Sequence, residues 1–261
     1  MVQECANYTS IQVASMHHPS FINKMNSNNA MTSRYSRQMT LPEIGETGQE
    51  RFSRARILII GVGGLGAPIA LYLTAAGVGT IGLVDDDTVS LSNLQRQVLY
   101  TESEVGQPKV FCAARRLQAL NKQTSIYPYQ TRLTHQNAEE LIASYDIVID
   151  GCDNFATRYL ISDVSARLKK PYVYGAIQGF EGQVSVFNYG KQPHTYRDLY
   201  PDEDSMIHLI PDSSVIGTTP AVVGSVEANE ALKIICGYGE VLSGKLWTID
   251  LRTLQSHLLT F

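Results

Sequence analysis

The stretch RILIIGVGGLG, from Arg56 to Gly66, constrains the fold more than any other part of this chain. A short apolar run, Ile57 to Ile60, breaks into glycines and then into the helix-forming stretch APIALYLTAAG. Strand, glycine turn and helix together make a mononucleotide-binding unit. Gly61 and Gly63 let the backbone turn sharply and come close to a phosphate, while Gly66 lets the helix pack tightly on the strand. The free N–H groups at the helix start favour an anion. A second apolar run, TIGLV, leads into Asp85, the usual place for a carboxylate that holds a ribose. These residues predict a nucleotide site.

Such a turn alone fits a nicotinamide dehydrogenase, but the residues beyond Asp85 shift the reading. Asn93, Arg96 and, further on, Lys109 place amide and cationic donors near the same strand ends. A redox dinucleotide does not need the extra cations. A triphosphate does, because its charge must be neutralised before a nucleophile can approach phosphorus. The apolar run DIVIDGCDN ends in Asp153 and Asn154, with Arg158 one helical turn on. A carboxylate at a strand's C-terminal end is well placed to hold Mg²⁺. No GxxxxGK[ST] motif occurs, so triphosphate plus metal here points to adenylyl transfer rather than to an ordinary ATPase. Each residue also has a plainer reading. Asp85 can cap a turn, Asn93 can satisfy loop backbone, Arg96 and Lys109 can be solvated surface charges, and Arg158 can simply pair with Asp153.

In their order along the chain, these segments resemble the ThiF/MoeB/HesA family, the bacterial relatives of ubiquitin-activating enzymes. The matching pieces are RYSRQ (Arg34 to Gln38), GVGGLG, DDDTVSLSNLQRQ, GQPK (Gly106 to Lys109), DGCDNFATR (Asp150 to Arg158), EGQVSVF (Glu181 to Phe187) and GSVEANEALKII (Gly224 to Ile235). The similarity runs from about Tyr35 to about Leu251. It implies an enzyme that binds MgATP and the C-terminal Gly-Gly tail of a ubiquitin-like sulfur carrier. The tail carboxylate would attack the α-phosphate, giving an acyl-adenylate and pyrophosphate. By the same resemblance, Gly64 lies against the phosphates, Asp85 takes the ribose hydroxyls, Asn93, Arg96 and Lys109 face the phosphates, and Asp153 holds Mg²⁺. Arg37 corresponds to an arginine that reaches the γ-phosphate from the neighbouring subunit, which implies a homodimer. A carboxylate is already ionised at neutral pH, so no general base is assigned. The thiamin-thiazole branch, with a ThiS-like carrier, is the leading expectation, and the molybdopterin branch, with a MoaD-like carrier, comes next. A tRNA-base dehydratase and a non-catalytic carrier-binding scaffold are the remaining alternatives.

Two departures from the family pattern bear on chemistry. Many relatives hold a structural zinc with two CxxC pairs. Here Thr195 and Asp198 stand at the first pair's place in TYRDLYP, and the second pair has no counterpart before LRTLQSHLLTF. Cys5, Cys112, Cys152 and Cys236 have no ligand spacing, so no zinc is expected. Ser213 aligns where some relatives keep a cysteine that bonds to the carrier or its sulfur. A serine cannot carry a persulfide, so adenylation is expected without a covalent step there. Cys152, at a strand end, reads as a small core residue.

The 261 residues, 44% hydrophobic, suffice for one substantial core. A net charge of −4 argues against a nucleic-acid surface, and no apolar run approaches the roughly 20 residues of a membrane span. Few, unpatterned cysteines fit a reducing cytoplasm. Residues 1–30 are polar, without a signal-peptide pattern, and read as a disordered extension or as a start placed too early, Met31 being a natural start by the family resemblance; His17 and His18 within it lack further ligands. Residues 31–261 read as a single domain. Helices are expected over Pro42–Arg54, after Gly66, and over Lys109–Leu120, Asn137–Ser144 and Ala156–Leu168. Strands are expected at 57–60, 81–84, 125–129, 147–150 and 172–176. This alternation predicts an α/β, Rossmann-like, doubly wound and mostly parallel sheet. EGQVSVF, GKLWTIDL and SHLLTF would extend it with antiparallel strands. The long polar loop 191–218 is expected to cross the active site or the carrier tail.

Overall fold

The computed structural model describes residues 31–209 and 214–261. Two compact units divide the chain, one ending at Arg37 and the other running from Gln38 to Phe261. Helix α1 is Met31–Met39. In the second unit α2 (Gly45–Arg54) leads into β1 (Arg56–Ile60), α3 (Gly66–Ala76), β2 (Thr80–Val84), α4 (Lys109–Leu120) and β3 (Ser125–Tyr129). Next come α5 (Ala138–Ala143), β4 (Ile147–Asp150), α6 (Phe155–Arg167), β5 (Tyr172–Gln178) and β6 (Glu181–Phe187). The chain then forms α7 (Tyr196–Leu199), α8 (Glu203–Ile207), α9 (Thr218–Cys236), β7 (Lys245–Asp250) and β8 (Gln255–Thr260).

The eight strands form one sheet in the order β3-β2-β1-β4-β5-β6-β7-β8. The first five are parallel, with Ile57 opposite Ile81 and Ile147, and the last three are antiparallel. The order reverses between β1 and β4, and doubly wound sheets bind ligands in the crevice at that point. Alternation along β1 fills both faces: Ile57 and Ile59 join a core with α3, α4 and α9, while Leu58 and Ile60 join another with α5 and α6. Helix α3 ends where Gly77 takes φ +87°, with Val78 N–H donating to Leu73 and Gly77 N–H to Thr74, a Schellman stop. Gly224 allows α9 to lie on α3, since a Cβ there would stand 2.6 Å from Pro68 Cγ and 2.7 Å from the Leu65 carbonyl.

The sequence places the parallel strands within a residue or two, and the differences have local causes. Helix α2 starts at Gly45, not Pro42, because residues 41–44 form a turn into Gly45 at φ +55°. Helix α9 begins at Thr218, six residues before the matched segment; Pro220 is tolerated because first-turn N–H groups lack helical partners. The loop expected over 191–218 contains α7 and α8, each started by a local cap. Asp198 accepts from Thr195 N and Oγ1, and Asp202 accepts from Ser205 N. Thr195 and Asp198, at the place of the family's first CxxC, therefore build a capping box, and neither offers a thiolate. No helix among the described residues is long and apolar enough to cross a membrane. Residues 1–30, with His17 and His18, and Ser213 lie outside the described residues.

Candidate active site

A cavity of about 1110 Å³ opens at the C-terminal ends of β1, β2 and β4 and continues across the antiparallel strands to Thr248 and His257. Its floor at the switch point is backbone on backbone. Gly61 sits at φ +89°, and a Cβ there would stand 2.5 Å from the Gly151 carbonyl. At Gly66 a Cβ would come within 2.1 Å of the Gly61 carbonyl, so that glycine serves the close packing of α3 on β1. Gly63 and Gly64 face the opening, where the nearest atoms to an added Cβ are Gln97 Nε2 at 3.5 Å and Pro220 Cβ at 3.3 Å.

Eight of the sequence-predicted residues converge on this cavity: Gly61, Gly63, Gly64, Asp85, Arg96, Lys109, Asp153 and Asn154. Gly66 and Asn93 are not among its lining. Instead, the Asn93 carbonyl accepts the N–H groups of Arg96, at 3.0 Å, and Gln97, at 2.9 Å, setting the turn that presents Arg96. Arg37 lies on α1, in the other unit, and its expected role concerns a second subunit.

Asp85 ties the site together. One carboxylate oxygen accepts Val62 N–H at 2.7 Å and the other accepts Asp87 N–H at 2.8 Å. Burial raises its pKa above the ordinary value, against the pull of those two N–H groups and of Lys109. The side chain of Lys109 is nearly buried at the start of α4, and its Nζ rests on Asp87 at 2.9 Å. A phosphate entering the cavity would compete with Asp87 for that ammonium. Asp85, Asp86 and Asp87 also form an acidic group, but all three are already engaged: Asp85 by backbone N–H groups, Asp86 by Arg132 at 3.3 Å and Asp87 by Lys109.

Asp153 differs: it is exposed, and its Oδ1 receives only a long 3.5 Å bond from Asn154 Nδ2. A hard, little-committed carboxylate facing a cavity fits Mg²⁺, which keeps much of its water and takes one or two protein oxygens. Asn154 caps α6, its Oδ1 accepting Thr157 N–H at 2.9 Å. Arg158 does not pair with Asp153. It pairs at 3.1 Å with Asp150, which is fully buried and also accepts from Tyr172 OH at 2.9 Å and from the Cys152 N–H and thiol. Arg158 further donates to the Cys152 carbonyl at 3.0 Å, so one buried ion pair fixes the loop that carries Asp153 outward. Burial first, then Asp150, pushes the Cys152 thiol well above its usual range, which leaves it protonated.

One polar residue escaped the sequence reading. Gln97 is buried, lines the cavity beside Gly63, and its Oε1 has no partner. Its signal was present as the last residue of SNLQRQ, overshadowed by Arg96.

A family model described as the ThiF family matches residues 35–260. The chain belongs to the ThiF family. It is 48% identical over 223 residues to the sulfur carrier protein adenylyltransferase of Thermus thermophilus, covering 83% of this chain and 82% of that one. To the probable molybdopterin-synthase adenylyltransferase of Porphyra purpurea it is 44% identical, covering 85% of this chain and 59% of that one. To the probable adenylyltransferase/sulfurtransferase MoeZ of Mycobacterium tuberculosis it is 47% identical, covering 83% of this chain and 57% of that one. The chain thus spans less than two thirds of the length of these last two relatives. Among solved structures it matches PaaA with a TM-score of 0.76 at 24% identity, over 90% of this chain and 76% of that one. It matches E. coli MccB with a TM-score of 0.76 at 22% identity, over 89% and 72%. At those identities the likeness is one of fold, and it is the parallel sheet with an antiparallel extension that the ThiF-family motifs implied.

Proposed function

We propose that this ThiF-family chain is an adenylyltransferase that activates the C-terminal carboxylate of a ubiquitin-like sulfur carrier with ATP. The observation that carries the reading is the convergence of the glycine turn, Lys109, Arg96 and the uncommitted Asp153 on one cavity that continues as an open groove over β6–β8. Relatives named as adenylyltransferases support the reaction class, and the Thermus thermophilus relative is named for a sulfur carrier. The molybdopterin-type names among the relatives favour a MoaD-like carrier over the ThiS-like one that the motifs put first.

In the reaction an oxygen of the carrier carboxylate forms a bond to the α-phosphorus. The bond to the bridging oxygen breaks, and pyrophosphate leaves with that electron pair. Both reactants are anions, so the protein's task is positioning and charge neutralisation. Asp85 holds the ribose hydroxyls with the carboxylate that also steadies Val62. Lys109 turns from Asp87 to the phosphates, and Arg96, whose Cδ lies beside Gly64, meets them as well. Asp153 would hold Mg²⁺, which when bound neutralises phosphate oxygens and the leaving group. Arg37 completes the γ-phosphate site of a second subunit, so the functional unit is a homodimer. Without thiolates at Thr195 and Asp198, no zinc is assigned.

The test is ATP–pyrophosphate exchange with MoaD-like and ThiS-like carriers added one at a time. Exchange should require a carrier and Mg²⁺ and should be lost in Asp153→Ala. Exchange with no carrier present would contradict the reading.

A further inference from the structure

Midway along the cavity a hydroxyl is held in place by more contacts than its ring needs. Gln183, on β6, donates from Nε2 to Tyr174 OH and to Tyr200 OH, each at 2.7 Å. All three side chains line the cavity. A phenol oxygen that accepts a hydrogen bond still has its own proton to give. Tyr174 is buried, its ring 5.6 Å from the Arg158 guanidinium, whereas Tyr200 is only half-buried at the cavity wall.

Tyr200 does not come from the sheet. It lies just past α7 and is pinned there, with its N–H bonded to Tyr196 O at 2.9 Å and its carbonyl accepting Tyr159 OH at 2.8 Å. The Thr195–Asp198 capping box starts α7, and Arg197 ties it to Asp163 on α6 by bonds of 2.8 and 2.7 Å. A donor so fixed is preorganised for an acceptor. It stands between the phosphate end of the cavity and the groove at Thr248 and His257. The same wall carries Glu181 and Asp250, whose charge Arg252 offsets with contacts of 2.9 and 3.1 Å. Two carboxylates against one guanidinium leave this wall with a residual negative charge, which does not favour polyphosphate. The wall suits a neutral acceptor on an extended chain.

We propose that Tyr200 is a substrate-binding residue whose hydroxyl donates to a peptide carbonyl oxygen of the tail that carries the reacting carboxylate, with Gln183 as its positioning residue. The assignment rests on the carrier-adenylating reading of the cavity. Tyr200→Phe removes only the hydroxyl. In ATP–pyrophosphate exchange driven by whichever sulfur carrier supports it, this variant should raise the carrier KM about tenfold, the worth of one hydrogen bond, and leave the KM for ATP within about twofold. Gln183→Leu should act in the same direction. The double variant should be no worse than the more impaired single one, because both act through one hydroxyl. An unchanged carrier KM in Tyr200→Phe, with robust wild-type exchange, overturns the role of Tyr200 and leaves the adenylation reading standing. Additive effects of the two variants overturn the shared hydroxyl. Absence of carrier-dependent exchange in the wild type overturns the reading and this assignment with it.

Discussion

Glu227→Gln should stabilise this protein, and the size of the effect can be worked from its surroundings. Glu227 lies on α9 with no exposed surface, and neither carboxylate oxygen has a hydrogen-bond partner. It packs so tightly on β5 that a Cβ on Gly175 would stand 2.2 Å from its Oε1. Burial pushes its pKa well above the ordinary 4.5; the nearby Asp150 adds to this, and Arg158, committed to Asp150, only partly opposes it. The native state therefore keeps this proton while the unfolded chain releases it. Such a raised pKa leaves stability fully present below about pH 4.5 and removes it as pH rises towards the folded value. Retaining the proton costs progressively more as pH rises above 4.5, by at most about 1.4 kcal/mol per pH unit, until the folded value is reached. Glutamine has nearly the same shape and no proton to retain, so the substitution should recover that pH-dependent cost, offset by a pH-independent cost for its unpaired amide N–H groups. Urea unfolding of both proteins at pH 5, 6 and 7 reads the difference. The variant's advantage should widen with pH. A variant that is less stable at pH 7, with a difference independent of pH, would show Glu227 ionised against Arg158 and refute the reasoning.

The same contacts set the outcome of other substitutions. Asp150→Asn strips the buried Arg158 of its counter-charge and should cost about 3–5 kcal/mol in urea unfolding, with loss of exchange as the Asp153 loop loosens. Lys109→Ala removes the nearly buried cation proposed to meet the phosphates, and steady-state exchange should fall about 10²–10³-fold while the fold, monitored by circular dichroism, persists. Thr195→Ala removes the cap that starts α7 and should cost about 1 kcal/mol in urea unfolding. Because Tyr200 directly follows α7, the same variant should raise the carrier KM more than the ATP KM.

The parallel half of the fold was legible because its strands are short, apolar and separated by helix-forming stretches, as at Ile57–Ile60 and Ile147–Asp150. The glycines were legible for a steric reason: at Gly61 and Gly66 a side chain would collide with backbone, and composition shows such demands directly. Pairings between distant residues were not legible. Arg158 lies one turn beyond Asp153, yet its charge is met by Asp150, because a buried guanidinium needs a buried partner and Asp153 faces solvent. Lys109 reads as a phosphate ligand, but its hold on Asp87 depends on a β2–α4 approach that no spacing reveals. Helices α7 and α8 hid within a polar loop because each is only a turn or so long and depends on caps such as Thr195. Tyr200 carries no motif of its own, and Gln97 ends SNLQRQ behind the more conspicuous Arg96, so the cavity brings both into view.

The central claim is that the cavity joins AMP to the tail of a carrier protein. Intact mass analysis of a MoaD-like or ThiS-like carrier, after incubation with this protein and MgATP, addresses it directly. The account predicts a carrier species heavier by one adenylate, absent with Asp153→Ala and absent when the carrier lacks its C-terminal Gly-Gly. An unmodified carrier in the presence of a protein that binds MgATP, or an adduct that survives removal of Gly-Gly, would contradict it.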